Sequence, residues 1–372
     1  MRVGYDAGIL AATQLTGIGR YTWHLLEAIG ARGTPHGFSL FYPRGGDGAL
    51  PPAGFAARVG LVRGDMREDR FYRLWLDCWL PFEIARRRID LFHGPSYLLP
   101  RTRRARTVVT IHDLAHEKRP EWAPACSPEF ARRARESARR ADAVIAVSRA
   151  TRRDVVEIYG VPEERVEVIY EGVDPSFRPI EDRAAIEDFR IRRGLPERFI
   201  LSVLSLSPRK NLPGLMRAFG RFMKSSGLPH HLVVAGKSYG ANGPRHEAET
   251  LGIADRFRFI EYVPGEELPL LYNAAELFVF PSFYEGFGLP PVEALACGCP
   301  VVSSRAGSLP EVLGDAARYF DPGNAEEMAD ALACAAREGR TRDARDRGLA
   351  RALGFSWDKA AQETVRLYER IL

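Results

Sequence analysis

Short apolar runs alternate with helical patterns along almost the whole chain, and this alternation restricts its possible folds more than any other feature. Strands separated by helices indicate βαβ units, in which the strands are parallel and helices cover the sheet. The first half predicts strands at 2–5, 39–42, 91–93, 107–112, 143–148 and 166–170. The second half predicts strands at 199–204, 231–235, 257–260, 277–281 and 301–304.

The length of the chain favours two domains. At 372 residues it exceeds the usual size of one hydrophobic core. The segment 172–193 is rich in Pro, Asp and Arg, and we place the linker in its early part, at 175–179. The predicted domains are 1–176 and 177–356, and the amphipathic helix 357–372 is expected to pack back on the first. Two doubly wound α/β domains facing a central cleft would bind ligands at the carboxyl ends of their strands.

Positive charge is concentrated in the first half, where residues 1–178 contain 28 Lys and Arg against 22 Asp and Glu. Arginine-rich runs occur at 86–88, 101–106 and 132–140. Basic faces attract phosphates, anionic lipid surfaces or nucleic acid. Solvated helix faces in an arginine-rich sequence explain the same runs equally well.

Cysteine usage and the N-terminus predict a reducing compartment. The five cysteines have no framework spacing, and Cys297 and Cys299 are too close together and too isolated for a zinc site. Met1 begins a predicted strand rather than a signal peptide. No run approaches the ~20 apolar residues of a membrane span. We therefore expect a cytoplasmic protein, with peripheral contact at most to an anionic membrane at its inner face, and no nucleic-acid partner.

The string F-Y-E-G-F-G-L-P-P-V-E, which begins at Phe283, carries the strongest functional signal. Gly286 and Gly288 allow a sharp turn close to a ligand. The two prolines that follow suit the first turn of a helix. The backbone N–H groups at Phe287 to Leu289 would then point at an anion, as helix N-termini do.

Two carboxylates flank this predicted helix start. Glu285 lies in the loop, and Glu293 lies on the predicted first turn, with seven residues between them. A carboxylate accepts hydrogen bonds from vicinal hydroxyl groups, so both suit sugar binding. A role in the helix dipole for Glu293, with Glu285 as an ordinary loop carboxylate, is the alternative.

The E-x7-E pattern with G-F-G-L inside it resembles the family 4 glycosyltransferases, which have the GT-B fold of two Rossmann-like domains. The resemblance covers nearly the whole chain and is strongest at 199–320. It implies that Glu285 contacts the donor sugar of a nucleotide-sugar and Glu293 its ribose. It also implies that backbone amides meet the sugar and diphosphate; these belong to Gly286, Phe287, Gly288 and Leu289.

A cationic cluster, Ser207-Pro-Arg-Lys-Asn211, follows the strand predicted at 199–204. Arg209 and Lys210 would neutralise a leaving diphosphate as its charge develops, and the resemblance assigns them that role. Two cations at a helix start are unfavourable for the helix, which argues against a purely structural role. A common family pattern has Gly-Arg just after this strand, where this chain has Leu204 and Ser205.

His112 lies in the string T-I-H-D-L, at the carboxyl end of a predicted strand. The resemblance places this side chain beside the donor sugar. A strand-end histidine hydrogen-bonded to backbone is the alternative. Asp113 is predicted to orient a neighbour or to meet the acceptor.

Further positions are assigned by the resemblance alone. Gly17 and Gly19, in a predicted loop after the first strand, would face the diphosphate, although they lack the glycine spacing of a dinucleotide fingerprint. Asp6 and Arg20 are acceptor candidates. Backbone groups near Val263 would contact the base, with Ser205 and the turn at 236–237 nearby.

The expected reaction is transfer of a hexose from a nucleotide-sugar to an acceptor hydroxyl, with the anomeric configuration retained as the resemblance implies. The chain has no D-x-D triplet, and we expect no metal and no cofactor. The strings S-P-R-K-N and T-I-H-D-L look like those of mannosyl- and rhamnosyltransferases that build surface polysaccharides. GDP-mannose is therefore the favoured donor, with UDP-glucose or UDP-N-acetylglucosamine as the alternative.

The acceptor is expected to be a glycan, free or lipid-linked. An aromatic helix predicted at 71–88, with Phe71, Tyr72, Trp75 and Trp79, would contact a membrane-bound acceptor or, alternatively, pack into the core. Two other classes stay open, namely a nucleotide-sugar-binding protein without catalysis and a dinucleotide-dependent oxidoreductase. The missing G-x-G-x-x-G motif argues against the oxidoreductase.

Overall fold

The computed structural model describes residues 1–11, 17–43, 62–64, 74–124, 126–236 and 243–372. The chain divides into two compact units. Unit 1 contains Met1–Lys118, Ala125–Gly172 and Ser356–Leu372, and unit 2 contains Arg119–Pro124 and Val173–Phe355. Six residues that lie between two parts of unit 1 in the sequence therefore belong to unit 2.

Unit 1 is built on a parallel sheet with the strand order β3-β2-β1-β4-β5-β6-β7. Its strands are β1 Arg2–Asp6, β2 Gly37–Pro43, β3 Val62–Gly64, β4 Leu91–Gly94, β5 Arg106–Ile111, β6 Ala143–Ala146 and β7 Val166–Val168. β4 and β6 are buried along their whole length, and β6 is apolar at every position, as expected of a strand that is covered on both faces of a parallel sheet. The strand order reverses between β1 and β4, the position where doubly wound sheets bind ligands.

The helices of unit 1 that precede its last segment lie between its strands in the sequence, as the predicted βαβ units require. They are α1 Gly17–Ala31, a π-helix Trp75–Trp79, α2 Leu80–Arg86, α3 Ala115–Lys118, α4 Pro128–Arg140 and α5 Arg149–Tyr159. Ser127 and Ser148 begin α4 and α5 as N-caps, because their side chains accept backbone N–H groups of the first turn.

The predicted glycine loop after the first strand is wrong for Gly17 and Gly19, which form the first turn of α1. The cost of glycine in a helix is an interior cost, and the first-turn N–H groups have no intrahelical partner to lose. The predicted loop also included Thr16 and Arg20; Arg20 lies in the same first turn, and Thr16 lies outside the described residues.

The aromatic helix packs into the core of unit 1. Trp75 is fully buried and stacks on Trp79, with ring centroids 4.2 Å apart and planes at 12°. Trp79 also meets Phe41 of β2 edge-on. For these two tryptophans the core-packing interpretation is the one the structure supports, while Phe71 and Tyr72 lie outside the described residues.

Unit 2 is built on a second parallel sheet with the order β10-β9-β8-β11-β12-β13. Its strands are β8 Phe199–Val203, β9 His231–Ala235, β10 Phe257–Ile260, β11 Leu277–Phe280, β12 Val301–Ser304 and β13 Ala317–Phe320. Its helices are α6 Arg183–Arg192, α7 Leu212–Ser226, α8 Gly243–Thr250, α9 Leu268–Ala274, α10 Leu289–Ala296, α11 Leu309–Leu313, α12 Ala325–Glu338 and α13 Arg342–Ala352. β8 and β11 are neighbours, which brings the two predicted donor-site motifs to one edge of the sheet.

The segment 175–179, where we predicted a linker, is packed within unit 2. Phe177 meets Tyr272 edge-on at 5.9 Å between ring centroids. The Asn273 side chain donates to the carbonyl of Arg178 at 3.0 Å and accepts from the N–H of Ile180 at 2.9 Å. The change from unit 1 to unit 2 falls earlier, between Gly172 and Val173.

The last helix, α14 Trp357–Ile371, belongs to unit 1 and packs on α1. Its first residue lies against Tyr21, and Gly172 leaves room for it, because a Cβ there would stand 2.2 Å from the N of Trp357. Tyr368 contacts Nδ1 of His93 on β4 at 2.5 Å. Among the residues with described structure, no helix has the length and apolar character to cross a membrane.

Candidate active site

Glu285 lies between two cations in unit 2. One carboxylate oxygen accepts from Nη1 of Arg209 at 2.8 Å, and the other accepts from Nζ of Lys210 at 2.7 Å. Glu285 is only 6% exposed. The cations come from the turn Pro208–Lys210 after β8, and Glu285 comes from the loop after β11. The neighbouring strands thus join residues that are 75 and 76 positions apart in sequence.

The charge of Glu285 is set by a balance between burial and these cations. Burial raises the pKa of the carboxyl, but Arg209 and Lys210 together lower it by more than burial raises it. The resulting pKa is about 2, against an ordinary 4.5. Glu285 is therefore ionised at neutral pH and accepts hydrogen bonds without donating any.

Backbone contacts fix the two loops against each other. The N–H of Phe283 donates to the carbonyl of Arg209 at 2.9 Å, and Nη1 of Arg209 donates to the carbonyl of Tyr284 at 2.7 Å. Asn211 follows the turn Pro208–Lys210, and its side-chain amide donates to the carbonyls of Pro281 and Pro322. These bonds hold the cations at a defined distance from Glu285.

Trp122 supports this loop and was not found by sequence reasoning. Its ring lies parallel to that of Phe283, with centroids 5.9 Å apart and planes at 4°. It also stacks on the Tyr284 ring, with centroids 6.3 Å apart and planes at 16°. The guanidinium of Arg119 lies 5.4 Å from the Trp122 ring centroid. The local signal was a tryptophan in an irregular, proline-containing stretch, which by itself does not indicate where the ring packs.

Gly307 and Ser308 were also missed by sequence reasoning, which suggested no residue-level role for the stretch 305–312. Gly307 has φ +57°, and a Cβ there would stand 2.4 Å from the Glu285 carbonyl oxygen. Ser308 is fully buried, and its hydroxyl lies 3.1 Å from the carbonyl of Glu285 and 3.0 Å from that of Phe287. The turn after β12 thus packs against the backbone of the loop that carries Glu285 and hydrogen-bonds to it.

α10 starts at the predicted place, with Gly288 before it in a left-handed conformation, at φ +97°. Leu289 is the first helical residue, so Glu293 is the fifth and lies beyond the predicted first turn. Glu293 is buried and accepts from the Tyr272 hydroxyl at 2.8 Å. This contact, rather than the helix dipole, fixes the carboxylate.

The remaining predicted donor residues of unit 2 lie in the loops at the carboxyl edge of its sheet. Ser205 follows β8, and the neighbouring Gly236 is needed there because a Cβ would stand 1.8 Å from the Leu204 carbonyl oxygen. Val263 is buried in the loop after β10. Gly286 and Phe287 are buried, and Phe287 packs edge-on against Phe355. Lys237, from the predicted turn at 236–237, lies outside the described residues.

In unit 1, both ring nitrogens of His112 have partners. Nε2 lies 2.8 Å from the carbonyl of Pro95, and Nδ1 lies 3.2 Å from a carboxylate oxygen of Glu171. A carbonyl only accepts, so Nε2 carries a proton, and the second contact requires another proton between Nδ1 and Glu171. Tyr21 closes one side of the ring, edge-on at 4.7 Å. His112 is therefore held in place within unit 1, and Glu171 is a partner that sequence reasoning missed.

The acceptor candidates also make local contacts in unit 1. Asp6 is buried at the end of β1 and accepts from the N–H of Gly8 at 2.9 Å, and burial raises its pKa to about 6. Asp113 accepts from the N–H of Ala115 at 3.0 Å at the start of α3. Arg20 lies half-buried on the first turn of α1.

The comparisons with known proteins agree with this fold. A family described as Glycosyltransferase Family 4 matches residues 15–177, and one described as Glycosyl transferases group 1 matches 185–347. The chain is 28% identical over 367 residues to the O-antigen chain mannosyltransferase B of Escherichia coli, covering 95% of this chain and 96% of that protein. It is 32% identical over 238 residues to the serotype-specific mannosyltransferase WbdA of the same organism, but it spans only 29% of that protein.

A solved structure matches over the full length. Sucrose-phosphate synthase from Thermosynechococcus elongatus superposes with a TM-score of 0.79 at 23% identity, covering 100% of this chain and 99% of that one. The fold and its relatives together define a hexosyltransferase of the GT-B class that acts in glycan biosynthesis. The chain belongs to glycosyltransferase family 4, and it resembles bacterial mannosyltransferases.

Proposed function

We propose that this enzyme transfers mannose from GDP-mannose to a hydroxyl of a glycan acceptor, free or lipid-linked, with retention of anomeric configuration. The observation that carries the proposal is the buried, ionised Glu285 between Arg209 and Lys210. A carboxylate that stays charged suits a sugar hydroxyl, and two fixed cations suit a diphosphate. The carboxylate and the two cations together suit the sugar and the diphosphate of a nucleotide-sugar.

The roles follow from the charges. As the bond between the anomeric carbon and the phosphate oxygen breaks, negative charge grows on the diphosphate, and Arg209 and Lys210 stabilise it. The N–H groups at the start of α10 add a second positive end. Glu285 orients the hexose, and Glu293, held by Tyr272, accepts from the ribose hydroxyls. The family resemblance assigns His112, whose ring Glu171 holds within unit 1, a role at the transferred sugar.

Retention is proposed to occur by attack from the front face. The acceptor oxygen forms a bond to the anomeric carbon on the side from which the phosphate oxygen departs. The departing oxygen takes the acceptor proton, so no separate base is needed. Glu285 is unsuited to act as a nucleophile, because its negative charge is directed at two cations.

The choice of mannose is supported by two relatives from Escherichia coli, an O-antigen chain mannosyltransferase and a serotype-specific mannosyltransferase. A chain 33% identical over 242 residues, from Mycolicibacterium hassiacum, is an α-(1→4)-mannosyltransferase, and this chain covers 56% of it. UDP-glucose and UDP-N-acetylglucosamine are the alternative donors.

The test is a thermal-shift panel of GDP, UDP, dTDP and NAD, followed by a transfer assay with the sugar donor of the base that binds. We expect GDP to stabilise the protein most, and GDP-mannose to be consumed with release of GDP. Stabilisation by UDP alone would overturn the donor, and stabilisation by NAD alone would overturn the reaction class. Stabilisation by GDP without turnover on glycan acceptors would indicate a binding protein.

A metal-free reaction is part of the proposal, because Arg209 and Lys210 supply the positive charge that a cation supplies elsewhere. Transfer should persist in excess EDTA, measured as release of GDP. Loss of activity in EDTA with recovery on adding magnesium would contradict this.

A further inference from the structure

A cavity of about 420 Å³ in unit 1 is lined by charged side chains, none of which belongs to the candidate active site described above. It is lined by one face of α4, by the π-helix and by the loop between β4 and β5. Its volume lies within the range of small-molecule sites. Four arginines and three carboxylates line it, so the question is how these charges are matched.

One ion pair in the cavity is complete. The guanidinium of Arg133 donates through both terminal nitrogens to the two oxygens of Asp77, at 3.0 and 2.6 Å. This two-point contact engages both oxygens of Asp77. The pair forms one wall and contributes no net charge.

The other arginines outnumber their acids. Glu136 is shared, with one oxygen on Arg101 at 3.0 Å and the other on Arg132. Arg140 donates to the carbonyls of Leu99 and Pro100 rather than to a carboxylate. Desolvation lowers the pKa of the Arg140 guanidinium; Arg101 and Arg133 lower it further, while Glu136 and Asp77 oppose them. Even with the third acid, Glu129, the lining has four positive and three negative groups.

We propose that this cavity binds the phosphate group of a phosphate ester, held by Arg101, Arg132 and Arg140. Planar guanidinium groups match phosphate oxygens with paired hydrogen bonds, and an anion of this kind relieves the surplus positive charge. Phospholipid headgroups and soluble phosphate esters share this chemistry. The site is independent of the donor proposed above, since its residues belong to unit 1 and its test measures binding only.

The experiment titrates the full chain with short-chain phosphatidylglycerol below its micelle concentration and with glycerol 3-phosphate, by calorimetry. Arg101→Ala and Arg132→Ala should each weaken binding about tenfold, the value of one charge-assisted contact. Both arginines are exposed and contact Glu136, so the folded state should tolerate either change. Glu136→Gln should strengthen binding severalfold, because it releases two guanidinium groups from competition.

Matched controls separate a discrete site from a diffuse basic surface. Arg104 lies on the same loop, is exposed and does not belong to the lining, so Arg104→Ala should bind like the wild type. Glu163→Gln removes an exposed acid that pairs with Arg152 on α5, and it should not strengthen binding. Equal weakening by Arg101→Ala and Arg104→Ala would overturn the proposal, as would no binding of either phosphate ester.

Flotation with vesicles then distinguishes the two sources of phosphate. Wild-type protein that floats with phosphatidylglycerol vesicles and not with phosphatidylcholine vesicles, and loses this in Arg101→Ala, supports a lipid headgroup. Binding of glycerol 3-phosphate with no flotation supports a soluble ester. Flotation that Arg101→Ala and Arg104→Ala reduce to the same extent would contradict a discrete site.

Discussion

Asp6 and Glu285 are both buried carboxylates near the carboxyl ends of parallel strands, one in each unit, and their surroundings act on them in opposite directions. Asp6 accepts one backbone N–H, and burial raises its pKa to about 6. Glu285 is equally buried, but two cations lower its pKa to about 2. Burial alone therefore does not decide whether a carboxylate is charged; the partners that other loops bring to it do.

The difference has a thermodynamic consequence for each unit. A raised pKa means that the folded state binds more protons, so the contribution of Asp6 to stability falls as pH rises from about 4 to about 6. The lowered pKa of Glu285 has the opposite effect on stability as pH changes. Its contribution is present above pH 4.5 and is lost as pH falls through about 2. Two substitutions, at Glu285 and Asp6, test this contrast directly, and two more, at Glu171 and Ser308, test the partners that other loops bring to His112 and to Glu285.

The largest effect is expected for Glu285→Gln, which keeps the shape and removes the charge between Arg209 and Lys210. Transfer should fall by about 10²–10³-fold, the usual loss for a fixed polar group that orients the reacting centre. Steady-state release of the nucleotide diphosphate measures it. Glu249→Gln, an exposed acid of α8, is the control and should keep normal turnover. Near-normal turnover of Glu285→Gln would refute the site.

Asp6→Asn should stabilise the protein at pH 7 by up to about 3 kcal/mol, because the amide removes the cost of an ionised buried group and still accepts from Gly8. The gain should disappear near pH 4, where Asp6 is protonated in the folded state. Urea unfolding at both pH values measures it. As a control, Asp154→Asn on α5 breaks a buried pair with Lys118 and should destabilise instead. Equal stability of Asp6→Asn and wild type at pH 7 would contradict the raised pKa.

Glu171→Gln should lower turnover about tenfold with little change in the KM of the donor, because His112 loses the charged partner that fixes its ring. Glu171→Asp should recover part of the loss. The control is Glu83→Gln, a buried acid of α2 whose partners are Arg86 and Arg87, away from His112. A rise in KM alone would indicate that Glu171 acts on donor binding rather than on His112.

The smallest effect is expected for Ser308→Ala, which removes one hydroxyl that holds the loop of Glu285. The free energy of unfolding should fall by about 1 kcal/mol, with a modest decrease in turnover. Ser303→Ala removes a buried hydroxyl of β12 that bonds to Ser304 instead, so it should affect stability but not turnover. Equal turnover of the two variants would argue against a positioning role for Ser308.

Local sequence signals placed most elements correctly. The strands at 231–235, 257–260 and 301–304 have the predicted bounds. Each is a short apolar run between turn residues, and such a run leaves little choice of where the strand begins and ends. The helix start at Leu289 follows from glycine and proline chemistry. The glycine turn at Gly17 was wrong, since glycines tolerate the first turn of a helix as well as a loop.

The sequence by itself determined two parallel α/β units, the residues of the cationic turn and the two glutamates of the E-x7-E string. The tertiary structure decided which of them meet. The order of β8 and β11 joins Arg209, Lys210 and Glu285, and side-chain packing added Trp122, Ser308 and Glu171. Periodicity and capping act within a few residues, whereas these contacts link positions 23 to about 160 apart, so they depend on sheet order and packing that no local pattern encodes.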